Sequence, residues 1–435
     1  MTHYLDHAAT SPILPAALDA WVRAQHDLGA EPGNPAALHA GGRRAKRMLE
    51  DARERIGAAL GAERAEVVLV SGATESDALG VCGAARGARR ADPVRTRVLL
   101  SVLEHDAVGA QREVLEADGF DVSLLRAGRS GVVEFDAGAL SFEAPSLALA
   151  TLGLICSEIG TIQPVAALAA AFGAPDLPPA ARPLVHTDAA QAIGVLPVSF
   201  RELGVDLLSL GGHKVGAPVG TGVLLARRGV PFATDRPGGG HERGLRSGTP
   251  DVAGALALAT ALEETVRTRE ERRARAEPLR DRLIAGLPED VRLTVDPADA
   301  VPSIIHLSLP TSHPEAVLMA MDGAGVAVSA GSACHAGVTR PSAVLLAMGA
   351  SEAEALGVLR VSTGPDSADA DIDALLAALP GAIRAARALD ARESHRVSAR
   401  SHPLDERAAP SSSMSTAPPP APASPRAPEN ERGKR

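Results

Sequence analysis

The sequence predicts an α/β protein with a large domain, in which a mostly parallel seven-stranded sheet lies between helices, and a smaller α+β domain. Three observations support this prediction. The chain has 435 residues, which is long enough for two domains. Across residues 13–254, short β-branched or leucine-rich runs alternate with segments of helical spacing, as in parallel sheets covered by helices. After Asp251 a long helix opens a second region that contains fewer strands.

Seven apolar runs in the first region predict strands that are buried on both faces. They cover residues 67–70, 98–101, 122–125, 147–152, 184–187, 207–210 and 222–226. Segments such as residues 41–60 and 165–171 have the apolar spacing of helices. We therefore expect these helices to cover the sheet.

The second region predicts a smaller mixed domain. Its first helix is expected to run from Asp251 through TVRTREERRARAEPLRDRL, whose mixed charges favour a solvated face over a nucleic-acid contact. Further elements are expected at residues 304–309 (strand), 314–322 (helix), up to about 329 (strand), from 341 (helix), 358–362 (strand) and 368–389 (helix). We expect residues 13–254 to form the large domain, and residues 1–12 and 255–392 the small one. Residues 393–435, rich in proline and serine, are expected to be disordered.

Composition and charge limit the function. The core must be built mainly from Ala, Val and Leu, because 45% of the residues are hydrophobic and only 2% are aromatic. A formal net charge of −9 argues against nucleic acid or an anionic membrane as partner. The cysteines Cys82, Cys156 and Cys334 form no CxxC pair, which fits a reducing cytoplasm and argues against a structural zinc site. No leader is visible, and the most apolar run is too short to span a bilayer, so we expect a cytoplasmic protein.

The segment VVLVSGATESDALG is the first candidate site. A buried strand ends at Val70, small residues follow, and a helix is expected near Glu75. Backbone N–H groups in such a turn, together with the Thr74 hydroxyl, suit a phosphate group. An ordinary strand-to-helix turn capped by Thr74 or Ser71 is the alternative.

Two charged residues follow apolar strands. Asp188, in LVHTDAAQAIG, is surrounded by alanines, so its carboxylate needs a cationic partner such as a pyridinium nitrogen, unless it caps a helix. Lys214 follows the Gly-Gly turn of VDLLSLGGHKVG. A desolvated lysine there would have a lowered pKa and form a Schiff base readily, whereas a surface loop would leave it an ordinary lysine.

Three later segments add candidates. The glycine-rich PGGGHERGLRSGTP could bind an anion or form a surface loop. Cys334 lies among small residues in VAVSAGSACHAGVTRPS, which favours accessibility, whereas Cys82 and Cys156 lie in apolar surroundings. Arg360 lies inside the apolar run VLRVS and needs an anion, for which a substrate carboxylate would match its planar fork.

In this order the motifs YLDHAAT, SGATES, LEHDAV, SEIGTIQP, HTDAAQ, GGHK, GGGHERGLRSGT, SAGSAC and LRVSTG resemble those of the class V, fold-type I pyridoxal-phosphate enzymes. Within that group the chain is similar to the cysteine desulfurases of the NifS and IscS type. The resemblance covers nearly all of residues 3–390. It implies pyridoxal 5′-phosphate as cofactor, L-cysteine as substrate, a homodimer, and a sulfur acceptor that is an iron–sulfur scaffold or a tRNA-thiolation enzyme.

The resemblance also assigns roles to individual residues. Lys214 would carry the cofactor, Cys334 would be the nucleophile that receives sulfur on a mobile loop, and His105 would stack on the ring and act as acid or base. Arg360 would bind the substrate carboxylate. The remaining cofactor contacts would come from Ala73, Thr74, Asp188, Gln191 and His213, with Thr249 supplied by the partner subunit.

Two positions depart from the family pattern. Ser157 stands where an asparagine usually contacts both cofactor and substrate carboxylate, and Gly211 stands where many relatives have a hydroxyl donor to the phosphate. Both departures concern efficiency more than reaction type. Selenocysteine lyase, another pyridoxal-phosphate β-lyase and a catalytically silent scaffold are the alternative functions.

Overall fold

The computed structural model describes residues 2–173, 177–330 and 340–400, with side chains as far as residue 392. The predicted nucleophile Cys334 and the tail beyond Arg400 lie outside these ranges. Described residues up to Ala391 belong to one compact unit. Each helix in the described ranges is too short or too polar to cross a lipid bilayer.

The strands and helices alternate through the first half of the chain. The strands are β1 (His3–Tyr4), β2 (Val67–Val70), β3 (Arg97–Ser101), β4 (Asp121–Leu125), β5 (Leu147–Thr151), β6 (Leu184–Asp188), β7 (Leu207–Gly211), β8 (Gly222–Ala226), β9 (Arg292–Leu293), β10 (Ile304–Ser308), β11 (Val326–Ala327) and β12 (Val358–Ser362). The helices are α1 (Pro15–Ala30), α2 (Ala40–Leu60), α3 (Ala73–Ala78), α4 (Ala84–Ala91), α5 (Asp106–Gly109), α6 (Gln111–Ala117), α7 (Ala137–Glu143), α8 (Val165–Ala171), α9 (Phe200–Leu203), α10 (Val252–Arg267), α11 (Arg269–Gly286), α12 (Pro314–Gly323), α13 (Ala343–Ala347), α14 (Glu352–Leu356) and α15 (Asp369–Arg400).

The large sheet contains the seven predicted strands in the order β2-β8-β7-β6-β5-β3-β4. Strand β8 runs antiparallel to both of its neighbours, and the other pairs are parallel. Helices cover both faces. On one face, helices α3 and α4 enclose apolar residues such as Val68, Leu149 and Leu207. On the other face, α2, α8 and α10 contribute to a larger cluster that includes Leu99 and Leu225. The predicted mostly parallel sheet between helices is confirmed.

A second, smaller sheet lies in the C-terminal half. Strands β12, β10 and β9 form it in that order, with antiparallel pairs, and β1 pairs in parallel with β11. Helices α11, α12 and α15 pack there around a separate apolar cluster. The exact division into domains at residues 12, 254 and 392 stays a prediction.

Helix ends show where the sequence pattern was less informative. The long helix expected after Asp251 is divided into α10 and α11 at Thr268, whose hydroxyl donates to the Glu264 carbonyl and accepts from Arg272 Nε. The last helix continues to Arg400, past the end expected at residue 389, since no glycine or proline lies between Ala391 and Arg400. Disorder of the remaining tail stays a prediction.

Candidate active site

A cavity of about 420 Å³ lies at the carboxyl ends of strands β3, β5, β6 and β7. This edge of an open parallel sheet is where ligands commonly bind. The cavity is lined by eight residues that the sequence predicts as site residues: Ala73, Thr74, His105, Ser157, Asp188, Gln191, His213 and Lys214. The structure therefore brings together side chains that are up to about 140 positions apart in the chain.

Lys214 ends a short 3₁₀ turn that follows β7. Gly212 makes this turn possible, because a Cβ atom there would lie 2.1 Å from the Thr221 hydroxyl oxygen. The Lys214 ammonium donates to the carbonyls of Ala8 and Ala9, the latter at 2.8 Å. Burial lowers the pKa of Lys214 to about 8, and the positive charge of Arg360 acts in the same direction. An amine in this state is a competent nucleophile near neutral pH.

Asp188 is the last residue of β6, and its Oδ1 accepts the Ala190 N–H at 2.8 Å. Burial raises the pKa of this carboxyl, while the Ala190 N–H and the nearby His105 and Lys214 act in the opposite direction. Within the described part of the chain, Asp188 makes no ion pair. A cation placed in the cavity would therefore find an unpaired, poorly solvated carboxylate.

Glu104, which the sequence analysis did not single out, also lines the cavity. Its Oε1 accepts the Gly153 N–H at 3.0 Å, and its buried Oε2 has no hydrogen-bond partner among the described residues. Burial raises the pKa of Glu104 to about 8, and the charge of Asp188 raises it further. Its position directly before His105, just past the end of an apolar strand, was the available signal.

The N-terminal segment, residues 5–11, contacts one side of the site; the motif YLDHAAT marked it in the sequence, but its role was not predicted. The Ala8 carbonyl accepts a hydrogen bond from Gln191 Nε2 at 2.8 Å as well as the one from Lys214. Thr10 Oγ1 lies 3.1 Å from His213 Nδ1. This segment thus links predicted site residues that come from different strands.

The start of α3 forms the opposite end of the cavity. Its first residue is Ala73, and the preceding Gly72 has φ +158°, a conformation that is essentially restricted to glycine. The backbone of this turn is packed against β8, because a Cβ atom on Gly222 would lie 2.6 Å from Gly72 Cα. Gly211 also lies near this turn, although less closely, since its Cβ would lie 3.3 Å from the Ala73 nitrogen. Only small residues permit this approach of α3 to the ends of β7 and β8.

The glycine-rich loop is held beside α3 by Glu75. This buried carboxylate accepts the Ser71 N–H at 2.6 Å, forms an ion pair with Arg246 at 3.0 Å and contacts Arg236. These donors and the Arg246 charge keep the pKa of Glu75 below its usual value despite burial. Thr249 lines a separate cavity of about 120 Å³ on the other side of Ser71.

Arg360 is not among the residues that line the larger cavity. It lies on β12, is 6% exposed, and donates through NH1 to the Ser157 carbonyl at 3.0 Å and through NH2 to Asp6 Oδ1 at 3.1 Å. Its Nε has no hydrogen-bond partner in the described part of the chain. Its charge nevertheless influences Lys214, so the two cations are close.

The two cysteines in the described ranges are both buried and free. Burial raises the pKa of Cys82 to about 11 and that of Cys156 to about 12. Neither is suited to act as a thiolate nucleophile near neutral pH.

Comparisons with known proteins agree with this architecture. The family model described as aminotransferase class-V matches residues 3–375. The IscS-like cysteine desulfurase of Mycobacterium tuberculosis is 41% identical over 393 residues, which covers 88% of this chain and 97% of that protein. A solved NifS-like protein has a TM-score of 0.76 at 29% identity and covers 87% of this chain and 98% of its own. SspA in complex with cysteine has a TM-score of 0.69 at 29% identity, with 85% and 100% covered.

The family match extends over most of the described residues, and the similar proteins share both sequence and fold across nearly their whole length. This confirms the family predicted from the ordered motifs. The chain belongs to the class V aminotransferase family.

Proposed function

We propose that this protein is a pyridoxal-phosphate-dependent cysteine desulfurase that converts L-cysteine to L-alanine and receives the sulfur as a persulfide on Cys334. The observation that carries the proposal is one cavity in which Lys214, with a pKa of about 8, lies beside the unpaired carboxylate of Asp188. Similar proteins named as cysteine desulfurases support the choice of reaction within the family.

The groups around the cavity match the chemistry of the cofactor. Asp188 would pair with the protonated ring nitrogen, which supplies the cation that this buried carboxylate lacks. Thr74 and the backbone at Ala73 would hold the phosphate at the start of α3. The remaining contacts would come from His105, Ser157, Gln191, Gly211, His213 and Lys214, with Thr249 of a second subunit completing a homodimeric site.

When bound, pyridoxal phosphate supplies an electron-accepting ring that stabilises negative charge at the substrate α-carbon. Lys214 can take the α-proton onto Nζ, because its amine is neutral in a large fraction of the protein molecules at about pH 8. His105 Nδ1 accepts the Ala107 N–H at 3.1 Å, so Nε2 is the atom that exchanges a proton with the substrate thiol. Arg360 would bind the substrate carboxylate beside Ser157.

The sulfur transfer requires Cys334 as a thiolate. Its sulfur would bond to the substrate sulfur while the bond between that sulfur and the β-carbon breaks. The carbon fragment keeps the electron pair, takes up a proton and leaves as alanine. The persulfide then passes to an acceptor, for which an iron–sulfur scaffold and a tRNA-thiolation enzyme are the candidates, in the cytoplasm.

The test compares purified wild type, Cys334→Ala and the control Cys82→Ala, following alanine, reductant-released sulfide and the cofactor absorbance together. We expect all three proteins to be yellow, with wild type and Cys82→Ala active and Cys334→Ala inactive. A Cys334→Ala variant with full activity would replace the persulfide mechanism by that of a general β-lyase. Protein that takes up no pyridoxal phosphate would overturn the proposal altogether.

A further inference from the structure

Asp6, near the start of the chain, contacts Arg360, the side chain that is expected to bind the substrate carboxylate. We propose that Asp6 is an internal stand-in for the substrate carboxylate: it pairs with Arg360 before substrate binds and is displaced when an amino acid enters. Asp6 is then a positioning residue that acts through Arg360 and sets the affinity for carboxylate-bearing substrates. This inference rests on the proposed function, because it takes an α-amino acid as the ligand of the cavity.

The geometry of the pair supports displacement. A single oxygen of Asp6, Oδ1, accepts a hydrogen bond from a single nitrogen of Arg360, Nη2, at 3.1 Å. The Nε of the same guanidinium is buried without a hydrogen-bond partner among the described residues. An incoming carboxylate that binds two guanidinium nitrogens gains a second charge-assisted hydrogen bond that Asp6 does not make here. The exchange therefore replaces a one-point contact by a bidentate one.

The two partners differ in their access to water. The side chain of Arg360 is 8% exposed, whereas that of Asp6 is 21% exposed. A buried arginine needs a counter-charge at all times, because an unpaired charge is costly in a poorly solvated site. Asp6 can turn toward solvent once it is released. The pair is thus arranged so that the anion, and not the cation, is the exchangeable member.

The position of the pair connects it to the catalytic cavity. Arg360 donates to the carbonyl of Ser157, which lines the cavity, although Arg360 itself does not. Asp6 belongs to the same N-terminal segment that accepts the hydrogen bonds of Lys214 through Ala8 and Ala9. A substrate carboxylate that replaces Asp6 would keep one negative charge beside Arg360. The charge balance around Lys214 is then preserved when substrate binds.

The experiment measures ligand affinity in the holoenzyme with Asp6→Asn, which removes the charge and keeps the size of the side chain. L-Alanine and L-alaninamide are titrated while the absorbance of the bound cofactor is followed. We expect Asp6→Asn to bind L-alanine about tenfold more tightly than wild type, since it no longer competes for Arg360. L-Alaninamide, which lacks the carboxylate, should bind the two proteins equally. The KM for L-cysteine should fall more than kcat changes.

Asp371→Asn is the matched control, because it removes a negative charge that contacts the N-terminal region, His3 Nδ1 to Asp371 at 2.8 Å, without touching Arg360. It should leave both affinities unchanged. Asp6→Ser is measured in parallel, and thermal unfolding verifies that each variant is folded. Unchanged or weaker L-alanine binding in folded Asp6 variants would overturn the role of Asp6. A wild type that takes up no cofactor or does not bind L-alanine would instead contradict the proposed function on which it rests.

Discussion

Replacing Glu104 with glutamine should make the stability of the cofactor-free protein less sensitive to pH. The pKa of Glu104 is raised from about 4.5 to about 8 by burial and by the charge of Asp188. A raised folded-state pKa contributes stability that is full below about pH 4.5 and is lost as the pH rises through about 8. Glutamine mimics the neutral acid and can accept the same Gly153 N–H, so it should not incur this loss.

The size of this loss of stability follows from the pKa shift of Glu104. Each pKa unit corresponds to about 1.4 kcal/mol, so wild type should lose about 2–5 kcal/mol relative to Glu104→Gln between about pH 5 and pH 8. For the compact unit of 391 residues, an unfolding entropy of about 2.1 cal/mol/K per residue gives about 0.8 kcal/mol/K. The Tm of wild type should therefore fall by about 3–6 °C relative to the variant over this range.

Differential scanning of both proteins without cofactor, at several pH values, measures this difference directly. Glu113→Gln, which removes an exposed carboxylate on α6, is the control and should follow wild type. A difference in Tm between wild type and Glu104→Gln that stays constant from about pH 5 to pH 8 would refute the reasoning. It would mean that Glu104 is ionised in the folded protein throughout, with a cation or water that satisfies its Oε2.

Three further predictions concern other groups. The rate at which cofactor-free protein captures pyridoxal phosphate should rise about tenfold per pH unit below about pH 8 and level off above it, because only neutral Lys214 reacts; stopped-flow absorbance measures this. A thiol reagent should label about one cysteine per native chain at neutral pH, and none in Cys334→Ala, since the other two thiols are buried with raised pKa values. Asp206→Ala should lower the Tm by about 4–6 °C because it leaves the buried Arg182 without its bidentate partner at 2.6 and 2.8 Å.

The sheet could be predicted closely because its strands are buried on both faces and differ sharply from the segments around them. The predicted strands agree with the seven observed ones to within one residue at each end. Helix ends were harder to predict. The break at Thr268 depends on a hydrogen bond from the Thr268 hydroxyl to the Glu264 carbonyl, which the spacing of apolar residues does not indicate.

The residues of the site could be predicted from the sequence, but the contacts that hold them in place could not. Lys214, Asp188 and Gln191 stand in motifs and directly follow strand ends, so their convergence follows from the parallel sheet. The contacts of Asp6 and Ala8 with these elements join positions more than 180 residues apart, and no local pattern encodes such pairings. Gly211, which departs from the family pattern, leaves room for the start of α3, because a side chain at this position would contact it.

A row of buried, hydrogen-bonded polar side chains runs from α3 across the strands β7, β6 and β5. Ser76 Oγ lies 2.9 Å from the Val223 carbonyl oxygen and 2.8 Å from Ser209 Oγ, and its single proton is shared between these two acceptors. Ser209 Oγ in turn lies 2.9 Å from His186 Nε2. His186 Nδ1 lies 2.8 Å from the Thr151 hydroxyl oxygen. Burial lowers the pKa of His186 to about 3, so this imidazole is neutral near neutral pH.

Because His186 is neutral, it offers no positive charge to the neighbouring Asp77. Asp77 is completely buried, and the nearest ring nitrogen, His186 Nε2 at 3.6 Å, belongs to a neutral imidazole. Burial, with the charge of Asp188 adding to it, raises the pKa of Asp77 well above its usual value. The Ala190 N–H and the nearby Lys214 oppose the effect of burial on Asp188, whereas at Asp77 the Ser209 hydroxyl opposes it and no cation among the described residues does. Of the two carboxyls, Asp77 is therefore the one whose neutral form burial favours more strongly, and the negative charge is favoured on Asp188, which faces the cavity.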